Sequence, residues 1–114
     1  MKRKVKLYIG DILENITLME EIIDGLDYKV FIGNKEKNYA VVRCIEIIGE
    51  AVKNIPEDIR QQYQDVPWRK MAGMRDKVIH FYLGVDYEIV WQVATKDLPA
   101  LKARLNQIFI EIAD

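Results

Sequence analysis

Apolar residues return every three or four positions along nearly the whole of this chain, and nowhere do they alternate over the length of a strand. A period near 3.6 gathers side chains on one stripe of a helix, whereas a half-buried strand needs a period of two. The chain is therefore confined to helices packed through their stripes. Val5 to Asp24 reads as the first, with Leu7, Ile12, Ile16, Met19 and Ile23 on the stripe and Asp11, Glu14, Glu20 and Glu21 between them. Asp24-Gly25 stops it. Residues 27–34 read as a connection, with Gly33-Asn34 as its turn signal.

Lys35 to Asn54 reads as the second helix. Tyr39, Val42, Ile45, Ile48, Val52 and Ile55 form its stripe, and Cys44 and Ile47 widen it. A stripe this wide suits a central helix, or one that also faces a partner chain. Gly49 inside it costs about 1 kcal/mol relative to alanine and reads as a place of close helix packing. Pro56 opens a short helix over Glu57 to Gln64, and Pro67 opens a fourth from Trp68 to about Leu83, closed by Gly84. Asp86 is placed to N-cap a last helix that reaches about Ile112, with Leu98, Leu101, Leu105, Ile108 and Ile112 on its face. Pro99 within it predicts a break or kink near Thr95. With 114 residues and no linker, residues 1–114 read as one domain. The expected fold is all-α, an antiparallel bundle of four to five helices, and the wide second stripe argues for a dimer.

Charge limits the function. Lys+Arg number 17 and Asp+Glu 18, a formal net charge of -1, so the chain is not a generic nucleic-acid coat. Positive charge is local. Lys2, Arg3, Lys4 and Lys6 lie at the N-terminus, where a solvated end is the simplest reading. Arg69, Lys70, Arg75 and Lys77 lie within twelve residues of one another's span to His80, against only Asp76. The single cysteine, Cys44, excludes an internal disulfide and reads as buried and inert. One Cys and one His cannot build a structural zinc site, and the plentiful carboxylates leave room only for a weakly held magnesium; no metal site and no cofactor are expected. No apolar run approaches a membrane span, and Gly10, Asp11 and Glu14 interrupt any signal-like start. The expected location is the cytoplasm.

The residues that carry chemistry run from Trp68 to Tyr82. They include the only histidine, His80, an arginine five residues before it and a tyrosine two after it. RNA can be cleaved without metal by its own 2'-hydroxyl. That reaction needs a base, an acid and positive charge on the phosphoryl group. Histidine serves either proton transfer, and arginine binds phosphate through two parallel hydrogen bonds. On a continuous helix Asp76 and His80, four apart, share a face, so Asp76 could orient the imidazole. Arg75 and Tyr82, seven apart, also share one. Arg75 and His80 are about 140° apart around the axis. Either the helix loosens towards Gly84, or the site is shared across a two-fold axis that supplies two His80 and two Arg75. We favour the second. A lone histidine near the end of an apolar helix is more often a satisfied core or surface residue than a catalyst, and spacing alone goes no further.

These residues resemble a known family. Arg75-x4-His80-x-Tyr82 is similar to the signature of HepT-type toxins, in the HEPN superfamily of helical ribonucleases. Ile45-Glu46-Ile47-Ile48-Gly49-Glu50-Ala51 with Lys53 resembles the family's second-helix pattern. Pro67-Trp68-Arg69, Ala72-Gly73-Met74-Arg75, Gly84-Val85-Asp86, Ile89-Val90-Trp91 and Asp97-Leu98-Pro99 with Leu101 are similar to the rest, over residues 35–110. The resemblance implies a metal-independent RNA endonuclease, the toxin of a type VII-like toxin–antitoxin pair. Its site would form at a homodimer cleft, or in an assembly of such dimers, with Arg75 and His80 as the catalytic pair. Asp76 stands where many members have asparagine. The implied partner is a minimal nucleotidyltransferase (MntA-like) antitoxin that transfers AMP to the motif tyrosine, here Tyr82. The rival reading is a non-catalytic helical module that docks to such a nucleotidyltransferase or presents substrate to it. Trp68 and Trp91 read as packing anchors, Met71 and Met74 as core or interface filler, and Glu46 and Glu50 as a solvated face or a salt bridge with Lys53.

Overall fold

The computed structural model describes residues 3–80 and 84–112. It is an all-α bundle. The elements are α1 (Val5–Ile23), α2 (Tyr28–Gly33), α3 (Lys35–Lys53), α4 (Glu57–Gln62), α5 (Trp68–Ala72) and α6 (Met74–Val78). They continue as β1 (Ile79–His80), β2 (Gly84–Val85), α7 (Tyr87–Gln92), a π turn (Val93–Asp97), a 3-10 turn (Pro99–Leu101) and α8 (Lys102–Glu111).

The core is the seam between α1 and α3. Ile9, Ile12, Ile16 and Met19 of α1 meet Val41, Ile45, Ile48 and Val52 of α3, all fully buried. Leu105 and Ile108 of α8 close one side, and Met71, Met74 and Val78 of α5 and α6 close another. The wide stripe of α3 is explained by its central position, with α1, α2, α5, α6 and α7 all packed on it. Tyr39 and Leu7, read as stripe residues, lie at the surface, 60% and 50% exposed. Buried Asn38 takes part of Tyr39's place: its Nδ2 donates to the carbonyls of Phe31 (3.2 Å) and Ile32 (3.3 Å), pinning the end of α2 to α3.

Helix ends follow local chemistry. Gly25 adopts φ +77°, where a side chain is strained, and α1 stops before it. Residues 27–34 are not an irregular connection. Asp27 N-caps α2 by accepting from the Val30 N–H (2.9 Å), and Asn34 then N-caps α3 by accepting from the Lys37 N–H (3.1 Å). Two caps seven residues apart allow a six-residue helix where the turn signal Gly33-Asn34 suggested none. Arg60 of α4 donates to the carbonyls of Val52 (2.8 Å) and Ile55 (3.1 Å), which satisfies the end of α3. Asp86 caps α7 by accepting from the Ile89 N–H (3.2 Å), as its position implied. The kink ahead of Pro99 is the π turn, with the Thr95 hydroxyl donating to the Trp91 carbonyl (2.6 Å).

Gly49 does not mark a close approach. A Cβ built on it would lie 3.6 Å from the Ala72 carbonyl oxygen, an ordinary contact. Gly49→Ala should therefore stabilise the fold by about 0.5–1 kcal/mol through helix propensity, read by urea unfolding. A loss of more than about 1 kcal/mol would mean that α5 sits closer to α3 than described.

Candidate active site

The fourth helix expected from Trp68 to Leu83 is interrupted twice. At Gly73 the chain breaks into α5 and α6, with the Gly73 N–H donating to the Arg69 carbonyl (3.1 Å) and the Gly73 carbonyl accepting from the N–H groups of Asp76 (3.2 Å) and Lys77 (3.3 Å). The second end is at Val78. Ile79 is extended, at φ -115° and ψ 115°. Ile79 and His80 pair antiparallel with Val85 and Gly84, and the Asp86 N–H donates to the Val78 carbonyl (2.7 Å). Gly84 adopts φ +83°, which a side chain would resist. This short ladder was not legible in the sequence, because two residues per strand leave no alternation to detect. Tyr82, the motif tyrosine, lies outside the described residues.

This geometry changes the relation between the motif residues. Arg75 and Asp76 are on α6, but His80 is on β1, so the helical alignment of Asp76 with His80 is not formed. Asp76 is exposed and its Oδ1 lies 3.5 Å from Nη1 of Arg75. Among the described residues no hydrogen bond joins it to His80. Arg75 is half-exposed, and its Nε lies 3.9 Å from Oε2 of Glu46 on α3. Both ion contacts are long and solvated, so the guanidinium is not locked. Glu46 was read as a solvated residue or a partner of Lys53; its ion contact is with Arg75.

His80 is half-buried and lines an open groove of about 760 Å³. Lys70 of α5, Lys77 of α6 and Lys96 of the π turn stand around it, with Asp97 as the acidic lining residue. Met74, Val93 and Leu101 form an apolar floor. Arg75 does not line this groove. Within one chain, then, the structure brings His80 together with three lysines and leaves Arg75 on the side of Glu46. Lys96 had no signal in the sequence, being eighteen residues past the motif helix and delivered only by the π turn.

Other readings are settled by burial. Trp68 is buried and donates through Nε1 to the Tyr63 carbonyl (3.0 Å); Trp91 packs on Phe31 and Tyr28, with ring centres 5.0 and 6.0 Å away. Both are packing anchors. Met71 and Met74 are core residues. Cys44 is buried, and burial pushes its thiol above the ordinary range, away from the reactive thiolate. At the N-terminus Arg3 pairs with Asp11 (2.5 Å) and lies over Tyr8, and Lys6 lies over Phe109, so these two residues of the cluster serve the fold. Lys2 lies outside the described residues. Among the described residues no three His, Cys, Asp or Glu side chains converge, and no helix is long and apolar enough to cross a membrane.

Comparisons with known proteins place the chain as a whole in a family. The family described as "Ribonuclease HepT-like" matches residues 12–108. A Methanocaldococcus jannaschii protein named as a candidate RNase is 47% identical over 111 residues, 97% of this chain and 92% of its own. A second from that organism, named likewise, is 46% identical over 116 aligned positions, covering 99% and 97% of the two chains. "Probable ribonuclease HepT" of Thermococcus cleftensis is 44% identical over 108, covering 95% and 98%. No solved structure matches. The family pattern takes in both the α1–α3 seam and the groove that holds His80, and the chain belongs to the HepT-like ribonuclease family.

Proposed function

We propose that this protein is a metal-independent RNA endonuclease in which Arg75 and His80 carry the chemistry. The observation that carries the reading is the place of His80: the only imidazole in the chain stands half-buried in a groove edged by three lysines. The substrate's 2'-hydroxyl loses its proton to a neutral His80 and attacks the adjacent phosphorus. The P–O5' bond breaks, and the departing oxygen takes a proton from a charged imidazole. Arg75 holds the phosphoryl oxygens as their charge grows.

The active unit is a homodimer. One chain has one imidazole, and its Arg75 leans towards Glu46 rather than into the groove of its own His80. Two copies about a two-fold axis supply two imidazoles, one as base and one as acid, and let the Arg75 of one chain serve the groove of the other. Asp76 acts on Arg75, its ionic neighbour, by holding negative charge at the rim of the site.

The protein acts as a toxin, and a nucleotidyltransferase antitoxin neutralises it by transferring AMP to Tyr82. AMP at that position adds bulk and a negative charge that competes for the cations RNA would use. The family and the position of the tyrosine two residues after His80 support this reading.

Three outcomes follow. Purified protein should cleave total RNA in excess EDTA, and Arg75→Ala and His80→Ala should each slow it about 10²–10⁴-fold with folding unchanged. Intact RNA with AMP-free wild-type protein would transfer the reading to the docking module. Asp76→Asn should lower KM for RNA about twofold to fivefold, the size of a solvated ion contact; a fall in kcat with KM unchanged would instead tie Asp76 to His80. Co-incubation with the nucleotidyltransferase and ATP should add AMP to the wild type and not to Tyr82→Phe, as read by intact mass, and should silence only the wild-type nuclease.

A further inference from the structure

The lysines of the His80 groove come from three elements that the motif does not join. Lys70 is on α5, Lys77 on α6 and Lys96 in the π turn. Among the described residues no ion pair or hydrogen bond holds the side-chain ammonium of any of the three, whereas Arg3, Lys102 and Arg104 are held by Asp11, Glu20 and Asp65. In a chain of net charge -1, three unneutralised ammonium groups around one groove concentrate positive potential there. The π turn accounts for the third, since it carries Lys96 and Asp97 on the groove wall where the kink ahead of Pro99 departs from a regular helix.

We infer that this groove is a backbone-binding track for single-stranded RNA, in which Lys70, Lys77 and Lys96 take the phosphates flanking the P–O5' bond that is cleaved beside His80. The inference rests on the nuclease reading and deepens it. A groove of about 760 Å³ is of small-ligand size, which suits a short stretch of single strand entering it. Lysine is a point charge without the planar fork of arginine, so it follows a backbone rather than reading a base. The apolar floor of Met74, Val93 and Leu101 has no side-chain donor to discriminate bases, so the track is tolerant of sequence. Asp97, beside Lys96 on the wall, repels phosphate locally. Selectivity for a particular RNA must then arise outside this groove.

The test is binding of a short fluorescein-labelled RNA with 2'-O-methyl groups throughout, which cannot be cleaved through the 2'-oxygen, followed by anisotropy over a salt series. The triple variant Lys70→Gln/Lys77→Gln/Lys96→Gln should weaken binding about tenfold or more near physiological salt and flatten the slope of log K against log salt by about 2, three contacts at about 0.7 each. The control Lys4→Gln/Lys29→Gln/Lys35→Gln removes as much charge elsewhere on the surface and should leave the slope unchanged. Equal losses in the two triples would overturn the inference, as would a wild-type slope in the groove variant. A groove variant that changes the oligomer mass by light scattering with RNA affinity intact would also overturn it, by showing that the three lysines hold the partner chain and not RNA. Failure of the nuclease reading is separate: it appears as wild-type protein that binds the uncleavable RNA and leaves ordinary RNA intact.

Discussion

The fully apolar seam of α3 is the constraint on which the other elements depend. Val41, Ile45, Ile48 and Val52 are removed from water on one side by α1 and on others by α2, α5, α6 and α7. Burial of that many branched side chains, at about 1.5–3 kcal/mol each, sets the position of every helix that touches them. Met71, Met74 and Val78 fall on this surface, so α5 and α6 are held even though each is only five residues long and could not be stable alone. The second of them carries Arg75, and the extended step that follows it carries His80.

From that follows the division of the site. Val78 must stay buried, and the Asp86 N–H seals its carbonyl, so the helix cannot continue through His80. The extended step at Ile79 turns His80 into the groove that α5, α6 and the π turn enclose. Arg75, one turn earlier, remains on the other side of α6 against Glu46. A phosphate must draw Arg75 from two weak carboxylate contacts, a small electrostatic hurdle. In the proposed homodimer, a two-fold axis would bring the Arg75 side of one chain to the His80 groove of the other.

Much of the fold was legible in the sequence because long amphipathic stripes and caps are local signals. The spans of α1 and α3, the cap at Asp86 and the kink ahead of Pro99 follow from residue types at fixed spacing. The rest was decided by contacts distant in sequence. A regular helix through His80 was the natural extrapolation, yet Asp86, six residues downstream, ends it by taking the Val78 carbonyl. Tyr39 looked like a stripe residue, but the neighbour able to cap α2 was Asn38, whose amide reaches back seven residues. Arg75 and His80 were recognisable from chemistry and family resemblance. Glu46 and Lys96 were not, since one joins through helix packing and the other through a π turn that no local pattern announces.

The central claim is that His80 and Arg75 make RNA cleave itself, through its 2'-oxygen, without a bound nucleophilic water. The end groups of the fragments report this most directly. Mass spectrometry of RNA cut by the purified wild-type protein, checked against His80→Ala, should show a 5'-hydroxyl on one fragment and a 2',3'-cyclic phosphate, or the monophosphate formed when it opens, on the other. Fragments ending in a 5'-phosphate and a 3'-hydroxyl would mean that water attacked the phosphorus, and would contradict the account.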